Sequence, residues 1–211
     1  MGLGAGVSEF GVNESFGRTF MERWQRIARR IRVPLGFVAA GIYLWQLWEH
    51  KPQAAPVWWS LALVIPGLWL RAYAAGYVRK NSELTITGPY AHVRNPLYLG
   101  SILIAAAFGL ALMSWQFAVA LAAAFLLIYV PVIAAEEAFL RDEFLEFEWY
   151  CARVPRLIPR ITPARAPDGN RGQSGRFSLA LYRRHREYNS AIGAALLYLS
   201  LLLGIWLRSR H

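Results

Sequence analysis

The part of the chain that decides the fold is residues 97–135, which read LYLGSILIAAAFGLALMSWQFAVALAAAFLLIYVPVIAA. Only Ser114 separates its two apolar runs, 97–113 and 115–135. A helix that crosses a bilayer needs about 20 apolar residues, whereas this stretch has 39. We therefore predict that it folds as a tight hairpin of two transmembrane helices.

Three further apolar runs, 33–48, 57–73 and 188–207, flank the hairpin. Each approaches the length that a transmembrane helix requires. The chain is 56% hydrophobic, with a mean hydropathy of +0.28, whereas soluble domains contain about 45–50% apolar residues. These features predict an all-α integral membrane protein with about five transmembrane helices.

The basic residues are distributed unevenly, and their placement predicts the orientation. The formal net charge is +10, and 20 of the 23 Lys and Arg residues lie within 18–32, 71–94 and 141–186. Because basic loops stay inside, we expect a cytoplasmic N-terminus and an extracytoplasmic C-terminus in a prokaryotic plasma membrane. The arginines are divided among segments separated by apolar spans, so we expect membrane lipids rather than nucleic acid as partners.

The apolar and basic runs divide the chain into four segments. Residues 1–32 form an N-terminal cytoplasmic segment, whose apolar residues among arginines at 18–32 predict an amphipathic helix on the inner leaflet. Residues 33–160 form the membrane core, 161–187 a basic cytoplasmic linker, and 188–211 the fifth transmembrane helix with a short outer tail. The N-terminal segment does not have the pattern of a cleaved signal peptide.

Cysteine and histidine are too sparse to indicate a disulfide framework or a metal centre. The chain has one cysteine, Cys151, and four histidines that lie far apart in sequence. No two of them have the spacing of a ligand pair on a helix. We therefore expect no metal site.

An unusual segment, TGPYAHVRNPLYLG, opens the third apolar run and begins at residue 87. Gly88-Pro89 predicts a turn, and Pro96 suits the first turn of a helix. Arg94 and Asn95 then lie at a helix N-terminus, whose N–H groups and positive dipole end suit a carboxylate or phosphate. The simpler interpretation is an interfacial loop with Tyr and Arg anchors.

A second segment, EEAFLRDEFLEFEWYCARVPRLIP, follows the fourth apolar run directly. Carboxylates that face lipid are costly, and adjacent residues of a helix point about 100° apart. At least one of Glu136 and Glu137 should therefore face the protein interior. Leu140, Phe144 and Phe147 have the spacing of one helix face, which simple packing explains.

Together the two segments resemble the isoprenylcysteine carboxyl methyltransferase family and its relatives, the phospholipid N-methyltransferases. The family pattern is G-P-Y-x-x-x-R-H-P-x-Y-x-G at the start of a membrane helix. After a helical hairpin it continues with E-E-x-x-L-x-x-x-F-G, paired tyrosines and R-V-P-x-x-x-P. The order of the blocks agrees here, and the resemblance covers about residues 68–159. The matching residues are Gly88, Pro89, Tyr90, Arg94, Pro96, Tyr98, Gly100, Glu136, Glu137, Leu140, Phe144, Tyr150, Arg153, Val154, Pro155 and Pro159.

The resemblance implies an S-adenosylmethionine-dependent methyltransferase with a cofactor pocket at the cytoplasmic face. Its acceptor would be a lipid or isoprenoid-like amphiphile that enters from the bilayer. Arg94 and Glu137 are the implied catalytic residues. Arg94 would hold the cofactor carboxylate or an anionic group of the acceptor, and Glu137 would lie near the cationic sulfonium. The residues implied to bind the cofactor are Gly88, Pro89, Tyr90, Arg94, Asn95, Pro96, Tyr98, Leu99, Gly100, Glu136, Glu137, Tyr150 and Arg153.

Departures from the family pattern keep two alternatives open. Asn95 stands where the family has His, and an amide cannot titrate near neutral pH. Leu145 replaces the Gly of the second block. The Trp149-Tyr150-Cys151 sequence is similar to the C-terminal block of NADPH-dependent sterol reductases, which is the first alternative. The second is a non-catalytic membrane protein of the same fold.

The distribution of charge predicts where reporters will be found. A reporter fused after His211 should be extracytoplasmic, and one inserted near Gly169 should be cytoplasmic, because one lies beyond the fifth span and the other in the basic linker. Protease accessibility in intact spheroplasts measures both positions. The opposite location of either reporter would contradict the five-span topology.

Overall fold

A computed structural model describes residues 41–49, 52–79, 83–165 and 175–210, and these contain helices but no strands. Residues 41–49 are helical and belong to helix α1. A 3-10 turn at Gly88–Ala91 lies between the second and third helices. The remaining helices are α2 (Ala54–Tyr77), α3 (Pro96–Leu112), α4 (Trp115–Glu143), α5 (Phe147–Arg153), α6 (Leu179–Arg184) and α7 (Tyr188–Arg208).

The helices confirm an all-α membrane protein. By length and apolar composition, α2, α4 and α7 are able to cross a membrane, and α3 is a shorter apolar helix of 17 residues. Four of the five predicted spans are therefore seen as helices. The first predicted span, 33–48, is helical where it is described, and the predicted amphipathic helix at 18–32 lies outside the described residues.

The predicted hairpin between α3 and α4 is confirmed. Met113 adopts a left-handed conformation with φ of 50°, which ends α3. Ser114 is the N-cap of α4, and its Oγ accepts a hydrogen bond from the Phe117 backbone N–H at 3.2 Å. The Ser114 side chain therefore satisfies one of the free backbone donors in the first turn of α4.

Helices α2 and α3 approach closely where a glycine from each helix meets the other. A Cβ atom on Gly100 would lie 2.6 Å from Arg71 Cγ and 2.8 Å from the Gly67 carbonyl oxygen. The Arg71 guanidinium donates to the Leu97 carbonyl and to Ser101, so it covers the first turn of α3. The small residues let the backbones touch, which packs membrane helices in the absence of a hydrophobic driving force.

Helix α7 belongs to the same bundle. Arg71 forms a two-pronged ion pair with Glu187, at 2.8 to 3.1 Å, next to the start of α7. At the other end, Arg208 donates to the Leu47 and Trp48 carbonyls of α1. The basic segments at the C-terminus of α2, the N-terminus of α3 and the N-terminus of α7 therefore share one end of the bundle.

Helix α4 extends past the apolar run and carries the glutamate pair inside it. Glu136 is exposed and Glu137 is buried, which confirms that one of the two faces the interior. The single helix face predicted from Leu140, Phe144 and Phe147 is wrong as a continuous helix, because α4 ends at Glu143 and α5 starts at Phe147. The three side chains nevertheless pack in one cluster with Tyr150 and Val154.

The basic linker contains a short helix that the sequence did not predict. Ser178 caps α6, and its backbone N–H bonds the Gly76 carbonyl near the end of α2 at 2.8 Å. The Phe177 ring occupies the space that a Cβ on Gly76 would take, since the two would be 2.2 Å apart. This contact fixes the linker to the end of α2.

We expect Gly100→Ala to lower the thermal stability of the detergent-solubilised protein. The added methyl group has no room against Arg71 and Gly67, and overpacking of this kind costs about 1–3 kcal/mol. The matched control is Gly193→Ala in α7, where a Cβ meets nothing within 4 Å. An equal melting temperature for Gly100→Ala and Gly193→Ala would contradict the close contact between α2 and α3.

Candidate functional site

The two sequence motifs meet at the end of the bundle that carries the basic segments. The segment after α5 runs beside the loop that leads into α3. The Arg94 backbone N–H donates to the Pro155 carbonyl at 2.9 Å, and the Arg160 N–H donates to the His92 carbonyl at 3.0 Å. The Ala164 N–H donates to the Ala91 carbonyl at 2.9 Å. Residues separated by 61 to 73 positions in sequence are thus joined through their backbones.

The turn at Gly88-Pro89 packs against the Tyr77 ring and is held by a hydrogen bond from Tyr150. Gly88 has φ of +59°, and a Cβ at this position would lie 2.5 Å from the Tyr77 ring. Both the backbone conformation and the space therefore require glycine. The Tyr90 carbonyl accepts a hydrogen bond from the Tyr150 hydroxyl at 2.8 Å. Burial raises the pKa of the Tyr150 phenol, so the hydroxyl stays neutral and remains a donor.

Glu137 lies at the centre of the charged residues. Its side chain is only 6% exposed, and Arg156 binds both carboxylate oxygens, with Nε–Oε1 at 3.1 Å and an NH2–Oε2 distance of 2.5 Å. Arg94 NH1 lies 3.4 Å from Oε1. A buried carboxylate is tolerated only where cations and hydrogen bonds compensate it. Both oxygens of Glu137 are therefore engaged, and the carboxylate joins α4 to both neighbouring segments.

Asn95 acts as a buried hydrogen-bond donor to the same carboxylate. Its Nδ2 lies 3.4 Å from Glu137 Oε1 and 3.3 Å from the Arg156 carbonyl oxygen. It is also the N-cap residue of α3, and its carbonyl accepts the Leu99 N–H at 3.0 Å. The amide therefore supplies a neutral donor at the position where the family has His.

Arg94 has a hydrogen-bonding group that the described protein atoms do not use. Its NH1 contacts the Cys151 sulfur at 2.7 Å as well as Glu137. Its Nε is buried and has no hydrogen-bond partner among the described residues. Burial raises the pKa of the Cys151 thiol, against the opposing effect of Arg94. Two guanidinium groups around one carboxylate leave the cluster with an excess of one positive charge.

The other residues implied by the resemblance either lie near the Glu137 cluster or make contacts elsewhere. Pro96 is buried at the first position of α3, beside the cluster, and Leu99 is half-buried in the next turn. Gly100 instead packs against α2. Tyr98 donates to the exposed Glu136 carboxylate at 3.1 Å, away from Glu137. Arg153 lies over the Trp149 ring, 4.7 Å from its centroid.

Arg156 is the residue of the cluster that the sequence did not single out. It lies in the Arg-Val-Pro-Arg sequence of the second motif, one residue beyond the Pro that the family pattern defines. Sequence alone gave no signal to distinguish it from the nine other arginines of 141–186. Its importance depends on the course of the chain after α5, where the extended residue Val154 ends the helix and Arg156 then reaches Glu137.

Comparison with known proteins found a family model that covers the first motif and the start of the second. The model of the phospholipid methyltransferase family matches residues 57–146. The nickel-cobalt-cadmium resistance protein NccN of Alcaligenes xylosoxydans xylosoxydans is 33% identical over 144 residues, which is 63% of this chain and 67% of NccN. The cobalt-zinc-cadmium resistance protein CzcN of Cupriavidus metallidurans is 39% identical over 95 residues, which is 45% of this chain and 43% of CzcN. No solved structure matches the chain.

Proposed function

Because the chain belongs to the phospholipid methyltransferase family, we propose that it is an S-adenosylmethionine-dependent methyltransferase that acts on a membrane-embedded lipid or isoprenoid-like acceptor. Family members use S-adenosylmethionine. The observation that carries the proposal is the Glu137 cluster, in which residues of both motifs converge between α3, α4 and the segment after α5. The sterol-reductase alternative finds no comparable support, since the family model that matches the chain is that of the phospholipid methyltransferases.

The residues of the cluster suit the amino-acid part of the cofactor. The buried Nε of Arg94 has no partner among the described residues, and the excess positive charge of the cluster favours an added carboxylate. When bound, S-adenosylmethionine supplies a methyl group that its sulfonium already activates. The protein then needs little acid–base chemistry and contributes mainly by binding, orientation and exclusion of water.

Each residue of the site has a distinct part in this proposal. Arg94 binds the carboxylate of the cofactor, and Glu137 orients Arg94 and Arg156. Tyr150 holds the Gly88-Pro89 turn through the Tyr90 carbonyl. Because both Glu137 oxygens are occupied by arginines, we assign Glu137 to orientation rather than to direct contact with the sulfonium.

We expect Arg94→Gln to weaken S-adenosylmethionine binding by about tenfold to a hundredfold, because it removes a charge-assisted hydrogen bond worth about 1.5–3 kcal/mol. Glu137→Gln should lower both affinity and melting temperature, because it leaves buried cations uncompensated. The matched control is Arg141→Gln, whose ion pair with Glu148 is half-exposed. Calorimetric titration of detergent-solubilised protein with S-adenosylmethionine and with NADPH measures the affinities. Binding of NADPH alone would support the reductase, and unchanged affinity in folded Arg94→Gln would remove Arg94 from the site.

A second function, in tolerance to heavy metals, is favoured by the names of NccN and CzcN. The described residues contain no group of three or more His, Cys, Asp or Glu side chains that could hold a metal ion. We therefore propose that the chain would affect tolerance through methylation of an envelope component rather than by binding the metal itself.

Expression in a cobalt- and cadmium-sensitive bacterial host separates the two routes. The wild-type chain should raise the metal concentration that halves growth, and Arg94→Gln at equal abundance should not, because methyl transfer is lost. Arg141→Gln serves as the control and should behave as wild type. Full protection by Arg94→Gln would show that tolerance does not depend on the proposed cofactor site.

A further inference from the structure

The segment after α5 forms a cationic cleft outside the Glu137 cluster. The cleft has a volume of about 510 Å³, and neither Arg94 nor Glu137 lines it. Its position is fixed by the backbone bonds of Arg160 and Ala164 to the loop before α3. The lining residues are Arg153, Arg160, Thr162, Pro163, Ala164 and Arg165.

Among the described residues, the three arginines of this cleft have no carboxylate partner. In the part of the chain that the structure describes, none of them forms an ion pair with a carboxylate. The Arg160 guanidinium is held in place, since it donates to the Arg153 carbonyl at 2.8 Å and to Thr162 Oγ1 at 3.2 Å. Arg153 is held over the Trp149 ring. The cleft therefore contains two arginines held in fixed orientations, together with Arg165, and no described carboxylate pairs with any of them.

The same segment exposes large apolar side chains beside the arginines. Ile158 is 80% exposed and Ile161 is 96% exposed. Such exposure is unfavourable in water but suits a segment that lies in the membrane interface, with apolar side chains at the acyl boundary. The arginines next to them would then lie at the depth of the lipid phosphates.

We propose that the cleft formed by Arg153, Arg160 and Arg165 binds the phosphate of an anionic phospholipid headgroup in the adjacent leaflet. The guanidinium fork matches a phosphate through two parallel hydrogen bonds, which an ammonium group cannot provide. The exposed isoleucines identify a lipid, rather than a soluble anion, as the source of the phosphate. The cleft includes neither Arg94 nor Glu137, so this proposal does not depend on the proposed function.

Calorimetric titration of the full chain in a neutral detergent tests this site with short-chain lipids. Dihexanoyl phosphatidylglycerol should bind more tightly than dihexanoyl phosphatidylcholine, because only the former has a net negative charge. Arg160→Gln and Arg165→Gln should each weaken binding of phosphatidylglycerol about fivefold, the effect of one basic side chain at a membrane surface. Arg184→Gln, at the end of α6 and outside the cleft, is the control and should leave the affinity unchanged.

Four outcomes would overturn the proposal. An equal loss in Arg184→Gln would indicate diffuse attraction by the basic surface, and equal affinity for both lipids would exclude recognition of the charge. Inorganic phosphate that competes as well as the lipid would identify a soluble anion. Displacement by S-adenosylmethionine would assign the cleft to the cofactor. Arg165 makes no hydrogen bond within the described structure, so Arg165→Gln keeps the test valid if Arg160→Gln does not fold.

Discussion

The rest of the site depends on the compensation of one buried carboxylate. Glu137 lies where α4 leaves the apolar region, and removing a partner from a buried ion pair costs about 3–5 kcal/mol. The carboxylate can stay buried only if Arg94, Asn95 and Arg156 all reach it. These three residues come from two sequence segments, so satisfying one charge fixes the loop before α3 against the segment after α5.

This arrangement also explains why helix packing matters for a site at the end of the bundle. The glycine contact between α2 and α3 determines where α3 begins, and therefore where Asn95 and Arg94 lie relative to α4. Arg71 also fixes the start of α3, since it contacts the first turn of α3 and pairs with Glu187 before α7. The fifth predicted span thus contributes to the position of the site although α7 lies outside the region matched by the family model.

The sequence predicted the parts of the structure that depend on local pattern. Apolar run length predicted α2, α4 and α7, and Ser114 predicted the hairpin. Helical periodicity failed at Phe144, because Leu140, Phe144 and Phe147 pack together across a break rather than along one helix face. Arg156 was not predicted either, because its role comes from a contact with Glu137, which lies 19 residues earlier in the chain. Long-range pairing of this kind leaves no periodic signal.

The charge of the cluster limits what each glutamate of the pair can do. Adjacent residues of α4 point about 100° apart, so Glu137 faces two arginines while Glu136 faces outward and accepts a hydrogen bond from Tyr98. The arginines outnumber the buried carboxylate, so a ligand carboxylate would complete the balance of charge there and a ligand cation would disturb it. A ligand with a carboxylate at one end and a sulfonium further along, such as S-adenosylmethionine, would therefore bind in one direction, with its carboxylate toward Arg94 and its sulfonium away from the guanidinium groups. Glu136 and Glu137 are adjacent and identical in sequence, yet they lie on two different surfaces of α4 and have different contacts.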